Sequence, residues 1–373
     1  MIILIGNPGS RRVRGFADAA ARHGRRVNVV SYADVIQGRF SEPPRGIVRI
    51  DSPGECAETC RAILRAGIEP LSAEGEAFLC ESAIDGLSFD RGEIIPPQQW
   101  FFGFRQILLN LASRWTDAGV RWMSSPQSIV MAFDKLICLE RWAYVGLPIP
   151  HRYPIVTCYQ QLREVVRDRH ARLILKLRYG YCAMGAIALE WRDSLVRAIT
   201  TVEVAISNGH PRLFVSKKPQ VLLRESEIEW LVDTLAVEGL LIEDWLPKAR
   251  WNGRPFDVRV VTIGSRAYHA VGRANASPFT NLNLDATRIE RDELVEYLGR
   301  TWETVEALSA AAARQLPDAG TLGIDLLIRP GGDKVVILEA NAFGDYLPGL
   351  LYQGMSTWDA QLRSIGSAEE AVT

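Results

Sequence analysis

Hydrophobic and polar positions at the start of the chain change from one period to another. Ile2–Ile5 form a short apolar run, residues 13–23 follow with helical spacing, and Val27–Val30 form a second apolar run. This order of periods predicts a strand, a helix and a second strand that lies parallel to the first. The chain therefore opens as an α/β protein.

The turn between the first strand and the helix, residues 6–10, contains two glycines. It lacks the Lys-Ser/Thr ending of a P-loop and the full GxGxxG spacing of a dinucleotide-binding turn. We therefore interpret Ser10 as the cap of the helix. The alternative is an anion contact at the helix start, assisted by the three arginines Arg11, Arg12 and Arg14.

A strongly apolar stretch, residues 96–115, begins with two prolines and contains five Phe and Trp side chains. Positions 104, 107, 108, 111 and 115 follow helical spacing, which predicts a buried helix. A hydrophobic wall of a substrate site is the alternative. The break at Met123–Pro126 marks the end of a first domain, 1–123.

Composition narrows the function classes. The 373 residues suggest two or three domains, and 43 Lys and Arg against 44 Asp and Glu give a formal net charge of −1. A dedicated nucleic-acid or membrane-surface binder would carry a basic excess, so we expect neither partner, although a local basic pocket is compatible. No apolar run reaches the roughly 18 residues of a membrane helix. Six scattered cysteines form no zinc or disulfide pattern, and we expect a reduced, cytoplasmic protein.

Two lysines stand out in the middle of the chain. Lys135 lies in a predicted helix, Ser128–Val145, where a solvated position is the ordinary interpretation. Lys176 interrupts an apolar strand, 173–177, and a loop with glycines leads from it into another strand. A lysine within an apolar strand either extends to the surface or neutralises an anion. A loop of small residues allows backbone N–H groups to approach phosphate oxygens.

Acidic residues then follow an apolar strand, 240–242, and a proline ends the segment at residue 247. Such a segment offers backbone donors and acceptors to an adenine edge. Further on, Asp257 and Arg259 are two residues apart and share one face of a predicted strand, with Arg273 after them. A cross-strand ion pair is the simpler interpretation of these charges.

The most informative segment is a predicted hairpin with a Pro-Gly-Gly turn. If residues 331–333 form the loop, Asp325 lies directly opposite Glu339, and Asn341 faces the same way. Two carboxylates and an amide oxygen in apolar strands favour a cation, and Mg²⁺ prefers such ligands. A register shift of one residue would move Asp325 to the other face, and an exposed polar face is the alternative.

In order along the chain, these segments resemble the ATP-grasp superfamily, and most closely the branch of glutathione synthetase and the ribosomal-protein glutamate ligase. The resemblance covers roughly 124–350 and rests mainly on the hairpin, Gly-Ile-Asp-Leu-Leu followed by Leu-Glu-Ala-Asn-Ala. It implies an α/β (α+β) ATP-grasp fold, with a Rossmann-like domain at 1–123 and two subdomains that clasp ATP. We expect these subdomains at 124–205 and 206–363, and a flexible tail at 364–373.

The resemblance also implies roles for single residues. Lys135 and Lys176 would contact the ATP phosphates. The loop 180–186, with Gly180 and Gly185, would close over them. This loop departs from the family pattern, which is usually richer in Gly and Ser, so its role is an expectation from position alone.

The base and the ribose of ATP have implied partners as well. Glu243, Asp244, Trp245 and Leu246 would hold the adenine, largely through backbone groups. Asp257 would approach the ribose.

The remaining implied roles concern the reacting end of ATP. Asp325, Glu339 and Asn341 would bind two Mg²⁺ ions, with Mn²⁺ as a substitute. Arg259 and Arg273 would stabilise the γ-phosphate and an acyl phosphate. The catalyst would thus neutralise charge and would need no side-chain nucleophile.

The function implied is an ATP-dependent carboxylate–amine ligase. The acid would be a small molecule or a peptide, an amine (or a thiol) would accept the acyl group, and a homo-oligomer is possible. Asp345 or Tyr346 would orient the amine. The alternatives are phosphoryl transfer of the kinase type and a nucleotide-binding module without turnover. A dehydrogenase is disfavoured by the incomplete glycine pattern.

Overall fold

The computed structural model describes residues 1–40, 46–54, 56–115, 119–167, 170–193, 195–207, 209–343 and 347–370, with side chains as far as residue 365. These parts of the chain form three sheets, of which the first is parallel and the other two are antiparallel. Within them, none of the helices combines the length and the apolar character needed to cross a membrane.

The first sheet has the strand order β2-β1-β3-β4, and its strands and helices confirm the predicted strand–helix–strand opening. Its strands are β1 (Ile2–Ile5), β2 (Val27–Val30), β3 (Ile47–Ile50) and β4 (Arg121–Trp122). Its helices are α1 (Arg11–Arg22), α2 (Tyr32–Ile36), α3 (Ala57–Ala66), α4 (Ile68–Glu74), α5 (Glu81–Asp85) and α6 (Pro97–Arg114). Ser10 caps α1 as predicted, because its Oγ accepts a hydrogen bond from the backbone N–H of Val13 at 3.2 Å.

Helix α6 is the buried helix that the apolar stretch predicts. Trp100, Phe101 and Phe104 are buried, and Phe101 stacks on Tyr179 with 4.1 Å between ring centroids. The aromatic side chains therefore form core contacts, and one of them reaches the segment that follows Lys176. Proline at the start of α6 suits the first helical turn, where the missing N–H has no partner to lose.

The single helix predicted for 128–145 is wrong, because the chain forms two helices there. Helix α7 (Pro126–Phe133) ends at Asp134, whose backbone is extended (φ −86°, ψ 97°), and α8 (Lys135–Tyr144) begins at the next residue. The Asp134 carboxylate accepts hydrogen bonds from the N–H groups of Leu136 and Ile137 and so caps α8. Lys135 is consequently the first residue of a helix, not a mid-helix residue.

The second sheet has the order β5-β10-β6-β7-β8-β9. Its strands are β5 (Arg152–Val156), β6 (Arg172–Leu177), β7 (Ile187–Arg192), β8 (Leu195–Ser207), β9 (His210–Leu222) and β10 (Leu240–Asp244). Helices α9 (Tyr159–Val165) and α10 (Glu225–Ala236) cover it and share a separate hydrophobic core with it. The expected subdomain boundary between residues 205 and 206 would divide β8, and this sheet instead continues to Asp244.

The third sheet has the order β14-β13-β12-β15-β16, and β11 pairs with β12. Its strands are β11 (Arg250–Trp251), β12 (Arg254–Ile263), β13 (Arg266–Ala274), β14 (Thr287–Ile289), β15 (Thr321–Ile328) and β16 (Val335–Asn341). Helices α11 (Arg291–Leu298) and α12 (Thr301–Arg314) pack beside it. One hydrophobic core joins this sheet to the first sheet, through residues such as Phe104, Trp142, Val258 and Ile324. The second sheet is thus the unit with a core of its own.

The C-terminal helix α13 (Thr357–Glu370) packs against α1. A Cβ atom on Gly15 would lie 2.3 Å from the Trp358 ring, so only glycine allows this close approach. Asp359 also forms an ion pair with Arg22 at 3.1 Å. The tail expected at 364–373 is therefore helical as far as residue 370, and residues 371–373 lie outside the described residues.

Glu238 joins the second sheet to the first domain, and it predicts a pH dependence of stability. Its carboxylate accepts a hydrogen bond from the Gln98 backbone N–H at 3.0 Å. Burial raises the pKa of Glu238 to about 7, against the weaker opposite effect of that hydrogen bond. The folded protein thus favours the protonated form, so this stabilisation is complete below about pH 4.5 and is lost as the pH rises through about 7. One pKa unit corresponds to about 1.4 kcal/mol, which gives at most about 3 kcal/mol.

We expect the Glu238→Gln variant, which is neutral at every pH, to lose that component of the pH profile. Its thermal unfolding midpoint should exceed that of the wild type increasingly as the pH rises from 5 to 8. Glu229→Gln, on the exposed face of α10, is the matched control and should follow the wild type. Parallel profiles for the Glu238 variant and the wild type would contradict the prediction.

Candidate active site

A row of charged side chains crosses the third sheet. Arg259 on β12 is opposite Asp325 on β15, and Asp325 is opposite Glu339 on β16. Opposing side chains in an antiparallel pair lie about 5 Å apart, so the three groups form a continuous line. The predicted pairing of Asp325 with Glu339 is confirmed.

The predicted pairing register is correct from Gly323 to Asp325, but it is wrong by one residue nearer the turn. Arg329 N donates to Lys334 O at 2.8 Å, so the loop has four residues, 330–333, and the predicted pairing of 330 with 334 is wrong. Leu326 then pairs with Ile337, and the register shifts by one residue before Asp325. Leu338 is the extra residue of this β-bulge, which restores the predicted register at Glu339.

Buried ion pairs connect this row to its neighbours. Arg259 donates from Nε and Nη2 to the two carboxylate oxygens of Asp325, the second at 2.8 Å. Arg273 lies across from Asp257 on the next strand, donates to it at 2.7 Å, and approaches Asp325 at 3.0 Å. All four residues are at most 5% exposed. Two guanidinium groups therefore balance two carboxylates inside the sheet, as the simpler interpretation of Asp257 and Arg259 suggests.

Lys176 and Glu243 form a second ion pair on two interior strands of the second sheet. They lie on the adjacent strands β6 and β10, and Lys176 Nζ is 2.9 Å from Glu243 Oε2. Lys176 thus neutralises an anion and does not extend to the surface. Glu243 is 2% exposed, and its Oε1 has no hydrogen-bond partner. A buried carboxylate oxygen without a donor is costly, which favours a ligand that supplies one.

Lys135 and the segment after Lys176 meet at the same place. Lys135 Nζ donates to the backbone carbonyl of Gly180. In the loop, Cys182 and Ala183 adopt left-handed backbone conformations, with φ of 53° and 59°, and Gly185 does so with 64°. Non-glycine residues enter this region at a cost of about 1 kcal/mol or more, so the loop shape is maintained by its surroundings.

The charges around Glu339 determine its ionisation. Burial by itself would raise the pKa of Glu339, but the positive charges of Lys135, Lys176 and Arg259 lower it to about 2. Glu339 is therefore an anion at neutral pH. Asn341 Nδ2 lies 3.5 Å from its Oε1, at the limit of a hydrogen bond.

One cavity between the second and third sheets brings these groups together. All of the predicted site residues except Arg259 and Gly185 line it, namely Lys135, Lys176, Gly180, Glu243, Asp244, Trp245, Leu246, Asp257, Arg273, Asp325, Glu339 and Asn341. Its open volume is about 140 Å³. Sites for small ligands usually measure about 300–1,000 Å³, so the cavity is narrow in this conformation.

Comparison with solved structures identifies the architecture. No family profile and no curated protein matches the sequence. The ATP-grasp ligase PsnB with a minimal precursor is 14% identical, with a TM-score of 0.52 over 98% of both chains. The ADP complex of PurK, an N5-carboxyaminoimidazole ribonucleotide synthetase, is 16% identical, with a TM-score of 0.57 over 97% of this chain and 76% of that one. The D-alanine–D-alanine ligase of Bacillus anthracis is 13% identical, with a TM-score of 0.54 over 100% and 97%. The chain has the ATP-grasp fold.

The ATP-grasp fold implies Mg²⁺, and the oxygen donors of this chain fit that ion in part. Glu339 is anionic, and Asn341 is beside it. Asp325 differs, because both of its oxygens already accept from Arg259 and Arg273. Among the described residues, no cluster of three His, Cys, Asp or Glu side chains forms a metal site. Glu339 and Asn341 are thus the better fitting pair, and Asp325 would have to share its oxygens.

Lys248 and Thr280 are cavity residues of this ATP-grasp fold that the sequence did not single out. Lys248 Nζ is 2.6 Å from Thr280 Oγ1 and 3.4 Å from Asp257, and Thr280 donates to the same carboxylate. Phe279 packs beside them against Ala186 and Ala188 of the second sheet. A lysine directly after the apolar strand β10 and its proline was the available signal for Lys248.

The other predicted contacts differ in how they face the cavity. The Asp244 carboxylate accepts from the Tyr153 hydroxyl at 3.0 Å, and Arg172 stacks 4.0 Å above the Trp245 ring. Arg259 lies behind Asp325, so a direct phosphate contact would require its guanidinium to move. Asp345 and Tyr346 lie outside the described residues.

Proposed function

We propose that this protein is an ATP-dependent carboxylate–amine ligase that works through an acyl phosphate and releases ADP and phosphate. The observation that carries the proposal is the shared cavity, where two lysines meet Arg273 and the anionic Glu339 of the third sheet. Four charged groups around one cavity suit the transfer of a phosphoryl group, which depends on positioning and on charge neutralisation. Of the solved structures compared above, all under 25% identical, PsnB and the D-alanine–D-alanine ligase are ligases by name and PurK is named a synthetase.

The nucleotide would lie in the cavity between the second and third sheets. Lys135 and Lys176 would contact its phosphates, and the loop 180–186 would cover them. The adenine would lie along 243–246, where the unpartnered Oε1 of Glu243 can accept a hydrogen bond from the 6-amino group. Asp257, held by Lys248 and Thr280, would face the ribose.

Glu339 and Asn341, with Asp325 as a shared ligand, would hold Mg²⁺, which supplies charge neutralisation at the phosphate oxygens. Arg273 lines the cavity and would stabilise the γ-phosphate and the acyl phosphate. Arg259 would act behind it, because its guanidinium fixes the Asp325 carboxylate.

The reaction would proceed in two steps. A substrate carboxylate oxygen attacks the γ-phosphorus, the bond to the β–γ bridging oxygen breaks, and ADP leaves. The amine nitrogen then attacks the acyl carbon, the bond to the phosphate oxygen breaks, and the amine loses a proton. Closure of the loop 180–186 would exclude water, which otherwise hydrolyses the acyl phosphate.

A second cavity supports a carboxylate substrate larger than an amino acid. It has about 780 Å³ of open volume and shares Tyr181, Cys182 and Met184 with the nucleotide cavity. Its other walls come from the first domain, from β9 and from residues 282–285, and they carry both signs of charge. Two solved structures with this fold are described in complex with precursors, PsnB with a minimal precursor and the macrocyclase MdnC with a precursor peptide. We therefore include a peptide carboxylate among the proposed substrates, beside small acids.

The test is a thermal-shift titration with Mg-ADP and with a non-hydrolysable ATP analogue. Ligand at about 100 times its dissociation constant should stabilise the wild type by about 2.7 kcal/mol, which amounts to several degrees. Lys176→Ala should lose most of this shift, because a phosphate contact and the partner of Glu243 are both removed. Lys218→Ala, an exposed lysine on β9 of the same sheet, is the matched control and should keep it.

A positive shift justifies a screen of acids paired with amines for phosphate release. An amide product with ADP and phosphate would support the ligase, whereas a stable phosphorylated product without phosphate release would indicate a kinase. No shift in a well-folded wild type would overturn the proposal.

A further inference from the structure

The two lysines proposed to hold the ATP phosphates come from units with different cores. Lys135 begins α8, whose Leu139 and Trp142 pack in the core shared with the third sheet. Lys176 lies in β6, whose apolar residues belong to the separate core of the second sheet. Both ammonium groups can reach one phosphate chain only if these two units are held in register.

A partly buried ion pair, with the Arg178 side chain 26% exposed, connects the two units beside these lysines. Asp134 precedes Lys135, and Arg178 follows Lys176 by two residues. Arg178 donates from Nε to Asp134 Oδ1 at 2.8 Å and from Nη2 to Oδ2 at 2.6 Å. Asp134 is 2% exposed. This two-point contact fixes orientation as well as distance, which a single hydrogen bond does not.

The ion pair with Arg178 is not the only interaction that the Asp134 carboxylate makes. The carboxylate already accepts from the N–H groups of Leu136 and Ile137, and the start of a helix favours a negative charge. Asp134 Oδ1 would therefore remain hydrogen-bonded without the arginine, whereas Oδ2 would lose the Arg178 Nη2 donor. A buried ion pair is by itself weak support for stability, and setting a register is its best-attested use.

The backbone around Arg178 adds two contacts between the same two units. Lys135 N donates to the Arg178 carbonyl at 3.4 Å, and Lys135 Nζ donates to the Gly180 carbonyl. Arg178 thus stands between Lys176 and the start of the loop that would cover the phosphates, and every one of these contacts ends on Asp134 or Lys135.

We propose that Asp134 and Arg178 are positioning residues, which set Lys135, Lys176 and the following loop in register so that both ammonium groups bind the same phosphate chain. This inference rests on the proposed nucleotide site. It goes beyond that proposal by assigning the alignment of the two lysines to a pair that would touch neither ATP nor the acid. The base and the ribose lie on other residues, so only phosphate recognition should depend on the pair.

The test compares the binding of Mg-ADP and of adenosine by calorimetry in Arg178→Lys and Asp134→Asn. Lysine keeps the charge but cannot form the fork, and asparagine keeps the cap but loses the charge. We expect both variants to bind Mg-ADP about tenfold more weakly, or about 1.4 kcal/mol, and adenosine within about twofold of the wild type. Arg192→Lys, whose arginine pairs with Glu190 on the surface of the same sheet, is the matched control.

Each other outcome is decisive. Equal weakening of both ligands would show a general loss of the site and would overturn the positioning role, as would unchanged Mg-ADP binding in both variants. A folded wild type that binds neither ligand would overturn the proposed function itself. A wild type that binds both, together with unaffected variants, would overturn only this inference.

Discussion

Replacing Glu339 by glutamine should remove the magnesium-dependent part of nucleotide binding and slow phosphate release on the order of 10²-fold or more. The side chain keeps its size and loses the negative charge that would attract the cation. Wild-type Glu339 is ionised because Lys135, Lys176 and Arg259 outweigh the effect of burial and lower its pKa to about 2. The measurement is the thermal shift produced by ADP as Mg²⁺ is titrated from zero.

The change in ADP affinity that Glu339→Gln causes in the absence of magnesium distinguishes a metal ligand from a merely structural residue. Removal of a negative charge beside two lysines should leave ADP binding in the absence of Mg²⁺ as strong as in the wild type, or stronger. Glu303→Gln, an exposed carboxylate on α12, serves as the control. A Glu339→Gln protein whose shift still grows with Mg²⁺ as the wild type does would exclude Glu339 as a ligand of the ion.

The sequence predicted the hairpin contact because the period of a strand is two, and a polar residue in an apolar strand reveals its face. It could not predict the β-bulge at Leu338, since a Pro-Gly-Gly-Asp segment fits a loop of three or of four residues. The two alternatives differ by one position near the turn. They agree at Glu339 only because the bulge adds that position back.

The sequence also could not reveal the break at Asp134. Apolar residues keep helical spacing on both sides of it, and an aspartate within such a pattern resembles a solvated position. The groups that make it a cap and an ion-pair partner include Arg178, which is 44 residues away along the chain. The same holds for Lys248 and Thr280, which are 32 residues apart and meet over Asp257. Contacts of this range depend on how the sheets pack, and local periodicity does not encode them.

The network of buried charges in the third sheet predicts the largest effect on stability. Arg259→Met should destabilise the protein by about 3–5 kcal/mol, because it leaves the Asp325 carboxylate buried with only Arg273 to neutralise it. The expected fall in the unfolding midpoint is on the order of 10 °C for a unit of this size. Differential scanning calorimetry without nucleotide measures it, and Arg254→Met, at the exposed start of the same strand, should change the midpoint little.

The double variant Arg259→Met with Asp325→Leu separates the cost of an unpaired charge from the loss of packing. Removing the carboxylate along with its partner should recover part of the lost stability, because a protein interior tolerates apolar side chains of similar size in place of a buried ion pair. Recovery will be incomplete, because Arg273 also loses its contact with Asp325 and keeps only the one with Asp257. A double variant less stable than Arg259→Met alone would show that Asp325 stabilises the sheet through contacts other than this ion pair. A single variant that unfolds with the control would show that the ion pair contributes little to folding, and that its place beside Glu339 serves the chemistry of the site alone.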